Sequence, residues 1–509
     1  MEQGRKNVLV LTVLSALAQV INFGYRVVMA RMVGAEVMGL YQLVMSAYGV
    51  IQSVTTIGLT AALSNLTAQY LAVGDPLCAH QLRGTCLRLL FCLMLPVGAV
   101  TILFSDAISV HLLGDARTQL GLILLIPCLT LTAVENLHKN AFYGAGRPIP
   151  PAVAEVWEQI VRACAVLGLL FLFLPQYPER AVGLVLWGMI LCEVSSAVTL
   201  YTLYRQCFGG KGIKGRGEEP RQRRARVAGI AIPVGANALL NNVLGAANSA
   251  LVPRQLVRSG MERGMAISQL GVVCGMTIPM LALPTVYLGA VNLVLMPKLA
   301  RATALGQRGE LRRLISEGME TVCRLTVPCM AFMVVFGPEL GRLLYGRGDV
   351  GGYLLPLAGA MGINCCVSVL ASALNSIERQ KTVAGISLVG GGLQVLCTFL
   401  LTALPGVGMG GYVTGVVLTA VRELVLCLGA VRRAVGMGLE VRRWLLAPGL
   451  SALLSGLNAS LLLKILRNAG LEAITACGCS LLFGIGQYLL VLRMLNEKSE
   501  EGKTLKKLS

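Results

Sequence analysis

Apolar runs separated by short polar breaks recur along this chain from Val8 to Leu492. A helix that crosses a bilayer needs ~20 mostly apolar residues, and about fourteen stretches reach that length. Residues 8–30, 41–66, 84–104, 118–137, 152–174, 181–204 and 227–251 form a first set. Residues 264–297, 318–337, 352–376, 383–404, 411–431, 443–464 and 471–493 form a second. None shows the ~10-residue alternation of polarity that marks a membrane β-barrel strand. The pattern predicts an all-α polytopic membrane protein.

The same pattern contains a repeat. Shifting the chain on itself by 232 residues lays helix 2 on helix 8 and helices 3 to 6 on helices 9 to 12 without a gap. Punctuation matches too: Gly74 with Gly306, Pro96 with Pro328, Phe104 with Phe336, Gly114 with Gly346, Arg147 with Arg379 and Gly183 with Gly415. The predicted organisation is a first six-helix half at 1–204, a basic loop at 205–226 and a second half at 227–436. Two additional transmembrane helices at 437–493 and a basic tail at 494–509 follow. Six helices per half give both repeats the same orientation, the parallel plan in which transporter substrates bind between the halves. Helices 13 and 14 either widen that cavity for a lipid chain or pad one half.

Composition agrees, with 55% hydrophobic and 14% charged residues and a mean hydropathy of +0.71. A net charge of +19 would point to nucleic acid in a soluble protein, but here its placement matters more. Alternate loops assigned to opposite faces carry 29 Lys and Arg on the side of the termini, counting Arg443 and Arg493 at the span ends, and 9 on the other, of 44 in the chain. The positive-inside rule therefore predicts that both termini are cytoplasmic. The run Lys211–Arg226 then faces anionic headgroups, each charge contributing ~1 kcal/mol. No aromatic residues interleave these charges as a base-stacking surface requires, so no nucleic-acid partner is expected.

Most of the sixteen cysteines sit in apolar runs, and the three histidines lie far from the Cys365, Cys366 and Cys477, Cys479 pairs. No metal site, disulfide or cofactor is expected. Walker, Gly-x-Ser-x-Gly and His-Glu-x-x-His signatures are absent. No catalytic residue is identified, and the expected driving force is the membrane potential or an ion gradient.

The stretch Tyr25-Arg26, Ala30-Arg31-Met32-Val33-Gly34-Ala35-Glu36 and Gly39-Leu40-Tyr41-Gln42 resembles the amino-terminal pattern of the stage V sporulation protein B group. That group lies in the lipid-linked oligosaccharide and polysaccharide flippase branch of the multidrug/oligosaccharidyl-lipid/polysaccharide exporter superfamily. Gly144-Ala145-Gly146-Arg147 and Glu158-Gln159-Ile160-Val161-Arg162 resemble it as well. The resemblance covers essentially the whole chain as a six-plus-six-plus-two helix plan. It implies a flippase of the bacterial cytoplasmic membrane that carries an undecaprenyl-diphosphate-linked saccharide, peptidoglycan precursor being the leading cargo. A cation-coupled multidrug exporter of the same superfamily and a membrane-embedded glycosyltransferase are the alternatives. The latter normally needs a sizeable carboxylate-bearing loop, whereas the longest loop here is short and basic.

A diphosphate crossing an apolar interior needs cations, because a buried unpaired anion is prohibitively costly. Arg26 and Arg31 match Arg258 and Arg263 at the 232 offset, so each half offers an Arg pair to phosphate oxygens. Snorkelling of all four to the headgroups is the competing use. In relatives of the superfamily first-helix arginines line the central cavity; this chain departs from that pattern in having no charge in predicted helix 2. Glu158 and Arg162 share one face of helix 5 at mid-bilayer, with Glu193 and the Arg422, Glu423 neighbours at similar depth. Intramembrane charges serve either coupling or a static ion pair. Asn241 and Gln269 offer hydrogen bonds to sugar, or glue between helices.

Overall fold

The computed structural model describes residues 2–208, 217–436, 438 and 442–508. Positions 209–216 of the expected basic loop lie outside the described residues. Among those described, every regular element is helical. Thirteen helical segments are long and apolar enough to cross a membrane. The first, Val10–Ala72, has 63 residues and bends at Gly34, whose φ of 80° and ψ of 173° suit a residue without Cβ. Each limb exceeds the ~30 Å hydrocarbon core at ~1.5 Å per residue. That segment supplies two crossings, and the fourteen read from hydropathy are all present in this multi-pass membrane protein.

The chain folds as two compact units, Met1–Gly271 and Val272–Ser509. The first contains α1 (Glu2–Gln52), α2 (Gly58–Ala72), α3 (Pro76–Leu103), α4 (Gln119–Gly144), α5 (Ile149–Phe173), α6 (Ala181–Phe208), α7 (Pro220–Arg258) and α8 (Arg263–Leu270). Leu63, Leu82, Leu90, Leu137, Phe142 and Leu200 interlock α2, α3, α4 and α6 in its core. Glycine lets α7 and α8 approach α1 and α2 at backbone distance. A Cβ on Gly58 would stand 2.2 Å from the Ala231 carbonyl oxygen, and one on Gly39 would stand 2.1 Å from that of Ile267. By the sequence repeat α7 opens the second half; in the structure it packs with the first unit.

The second unit contains α9 (Ile278–Ala282), α10 (Tyr287–Ala304), α11 (Arg308–Tyr345), α12 (Leu354–Ser376), α13 (Gln380–Leu401), α14 (Met409–Val435), α15 (Ala447–Asn468) and α16 (Ala473–Leu508). Leu299, Ile315, Val322, Val369, Leu374 and Val431 join α10, α11, α12 and α14. The two last helices dock on α11, where Phe332 and Phe336 meet Ala452, Ala459, Leu463 and Tyr488.

The 232-residue repeat is visible in the backbone. Gly74 (φ 74°) and Gly306 (φ 65°) are both left-handed, as are Gly114 (φ 82°) and Gly346 (φ 71°). Gly146 (φ 68°) matches Glu378, whose φ of 61° makes it the non-glycine residue with positive φ among those described. Several boundaries differ from the hydropathy reading, and two of these differences have a clear cause. The span expected at 264–297 is broken by a π-turn at Gly271–Thr277 and a 3-10 turn at Leu283–Thr285. Pro279 and Pro284 lie in this stretch, and a proline removes an amide donor and clashes with the carbonyl four residues back. The helix expected to end at residue 137 continues to Gly144. Its polar residues Lys139 and Asn140 end the apolar window without ending the helix.

Candidate functional site

Glu158 and Arg162 lie one turn apart near the middle of the 25-residue α5. Their i,i+4 spacing puts both on one face, and that face meets α4 and α6. Arg162 donates to Glu158 and, at 2.9 Å, to Oε1 of Glu193 on α6. From α4, Lys139 contacts Glu135 at 2.6 Å and Oε2 of Glu158 at 2.8 Å. Five charges therefore form one chain, Glu135–Lys139–Glu158–Arg162–Glu193. All three carboxylates are buried, Glu193 to 2% exposure.

These groups line a 240 Å³ chamber closed on the α1 side by Asn22, Tyr25, Arg26, Tyr41, Met45 and Tyr48. Two cations face three carboxylates, and Arg26 lines the same chamber from α1. Glu193 Oε2 is buried without a hydrogen-bond partner. One oxygen from each carboxylate lies within 4.8 Å of the others, the donor type a hard cation takes, but Lys139 and Arg162 already share them. The arrangement can hold an anion on Arg26 and Arg162, or exchange a cation or proton at the carboxylates.

The remaining residues singled out from sequence are dispersed. Arg31 is exposed. Arg258 and Arg263 line a separate 560 Å³ cavity with Arg254 and His111, so the repeat mates Arg26 and Arg258 open into different spaces. The Asn241 amide donates to the Asn237 carbonyl at 2.9 Å along its own helix. Gln269 Oε1 is buried without a partner. In the second unit Arg422 donates to the Ile386 carbonyl at 3.2 Å. Glu423 sits over Gly390, where a Cβ would come within 2.3 Å of its Oε1.

Sequence reasoning missed Glu135 and Lys139. A signal was present, since they repeat the Glu-x-x-x-cation spacing of Glu158 and Arg162. It was obscured because the apolar window for helix 4 stopped at residue 137, which left Lys139 in a loop.

A family model described as polysaccharide biosynthesis protein matches residues 5–302. The chain belongs to that family. A second model, described as lipid II flippase MurJ, matches residues 280–461. Stage V sporulation protein B of Bacillus subtilis is 22% identical over 452 residues, covering 87% of this chain and 86% of the relative. The solved structure of lipid II flippase MurJ in an inward closed conformation has a TM-score of 0.70 at 11% identity, covering 96% of this chain and 99% of its own. An inward-facing multidrug resistance MATE transporter has a TM-score of 0.62 at 14% identity, covering 84% and 94%. The family member described here thus has the fold of the superfamily named from its sequence motifs.

Proposed function

We propose that this protein is a flippase for a lipid-linked saccharide and that its cargo is an undecaprenyl-diphosphate-linked cell-wall precursor. It works by alternating access in the bacterial cytoplasmic membrane, with both termini on the cytoplasmic side, and it is not an enzyme. The observation that carries the reading is the chamber in the first unit, where Arg26 and Arg162 stand among buried carboxylates at mid-helix depth. Planar guanidinium groups grip phosphate oxygens in pairs. Family membership and the likeness to stage V sporulation protein B and MurJ support the same cargo class.

During transport Arg26 takes the diphosphate, while Arg162 stays anchored between Glu158 and Glu193. Withdrawal of Arg26 toward the cargo leaves the carboxylates short of one positive charge, and a proton or small cation from the medium replaces it. The membrane potential then acts on the moving charge, at ~2.3 kcal/mol per charge per 100 mV. The test is flipping of a defined undecaprenyl-diphosphate saccharide in vesicles that contain only this protein.

One observation favours a second reading, cation-coupled export of small cationic drugs. The three buried carboxylates would suit such a substrate, and MATE transporters share the fold. Vesicles loaded with a cationic dye separate the two: dye extrusion driven by an ion gradient, with no saccharide flipping, favours the exporter.

A further inference from the structure

The cavity that takes Arg258 and Arg263 is larger than the Arg26 chamber, at 560 Å³ against 240 Å³, and lies within the roughly 300–1,000 Å³ common for ligand sites. Three guanidinium groups line it: Arg254 and Arg258 on α7, and Arg263 at the start of α8. They come from the predicted outer loop richest in cations, with three of that side's nine. The wall opposite is the turn Val110–Asp115. Arg254 donates to the His111 carbonyl and Arg263 to that of Gly114. The cavity's carboxylate, Asp115, is already engaged: Arg117 grips it through both oxygens at 3.1 and 3.0 Å. Arg263 is farther away, at 3.6 Å. Arg258 is exposed and, among the described residues, makes no ion pair or hydrogen bond. Three cations thus face carbonyl oxygens and one carboxylate already gripped by Arg117, a surplus of positive charge that suits an anion.

We infer that Arg254, Arg258 and Arg263 form a second phosphate-binding site, separate from the Arg26 chamber, at the end of the first unit where α7 meets α8. Its ligand is a phosphate or diphosphate oxyanion, drawn either from the lipid-linked cargo or from an anionic phospholipid headgroup. Arg254 and Arg263 hold the wall in place through its carbonyls, and Arg258 provides the free fork. Only the identity of the cargo rests on the transport reading above; binding of the oxyanion does not.

Equilibrium dialysis of the full chain against inorganic pyrophosphate tests the site, using nanodiscs of zwitterionic phosphatidylcholine. Arg26→Gln is included as background to silence the chamber. In that background one pyrophosphate binds per chain. Adding Arg258→Gln lowers its affinity at least tenfold, and Arg258→Lys lowers it less because the charge remains while the fork is lost. Arg258 makes no ion pair or hydrogen bond among the described residues and is exposed, so both variants should melt as the background does. The proposal is overturned if the background binds no pyrophosphate, or if both Arg258 variants bind as tightly as it does. Repeating the titration with phosphatidylglycerol in the discs assigns the source: competition marks a headgroup site, and its absence a cargo site. A chain that binds pyrophosphate through Arg258 yet flips no saccharide would defeat the transport reading and leave this site standing.

Discussion

The two repeats share a backbone plan and differ in what they bury. At the 232 offset, Glu135, Lys139, Glu158, Arg162 and Glu193 of the first repeat correspond to Val367, Ala371, Gly390, Gln394 and Val425 of the second. Every charge of the five-residue chain has been replaced by an apolar or neutral residue, whereas Arg26 of the same chamber keeps an arginine, Arg258, as its mate. The left-handed positions Gly74, Gly114 and Gly146 and their mates are kept. Even an ion pair in a connecting turn is retained with its polarity reversed: Asp115 with Arg117 in one repeat, Arg347 with Asp349 in the other. The geometry of turns was duplicated, and the chemistry was placed in one half. In the second repeat Gln394 takes the position of Arg162, donating to the Tyr412 carbonyl at 3.2 Å and accepting from Thr419 at 3.4 Å. It ties helices together without a charge.

Removing Arg162 should break this contrast with the largest effect. Arg162→Ala leaves Glu158 and Glu193 facing each other in an apolar interior, and breaking a buried pair costs about 3–5 kcal/mol. Reduced yield and a markedly lower melting temperature are expected, whereas Gln394→Ala at the matching position should cost far less. Exchanging the charges sharpens the point. For an isolated pair, the double variant Glu158→Arg with Arg162→Glu would restore stability. Here the new carboxylate would stand beside Glu193 and the new guanidinium beside Lys139, so rescue should fail until Glu193→Gln and Lys139→Gln are added. Full rescue by the double variant alone would show that Glu193 is not part of the network.

A smaller effect is expected at Gly58, where a Cβ would meet the Ala231 carbonyl oxygen. Forcing backbones apart typically costs about 1–3 kcal/mol, so Gly58→Ala should lower the melting temperature by several degrees. Gly74→Ala is a control of another kind, because nothing stands within 4 Å of its Cβ and its cost is the left-handed backbone alone. The smallest predicted change is a gain. Glu378 holds the conformation that Gly146 holds in the first repeat, and a left-handed L-residue costs roughly 1–2 kcal/mol. Glu378→Gly should therefore slightly raise the melting temperature, with no change expected from Gly146→Asn beyond a small loss.

Much of this is legible in the sequence. Spans follow from length and hydropathy because a bilayer imposes both, and the repeat followed from their phase. The Glu158, Arg162 pair was legible because one helix carries both residues. Its extension to Glu193 and Lys139 was not, since that depends on which faces of α4, α5 and α6 turn together. The separation of Arg26 from Arg258 was also hidden. Equivalent positions in a repeat share a local conformation, but α7 packs against α2 through Gly58 and α8 against α1 through Gly39, and Arg258 lines a cavity of its own.

The most direct test of the account is flipping per inserted molecule of a defined undecaprenyl-diphosphate saccharide, in vesicles containing the wild-type chain, Arg26→Lys or Arg26→Ala. Wild type should flip the cargo, Arg26→Lys should retain part of the activity, and Arg26→Ala should lose nearly all of it at normal insertion. Unchanged flipping by Arg26→Ala, or full substitution by Lys with Ala impairing only insertion, would contradict this.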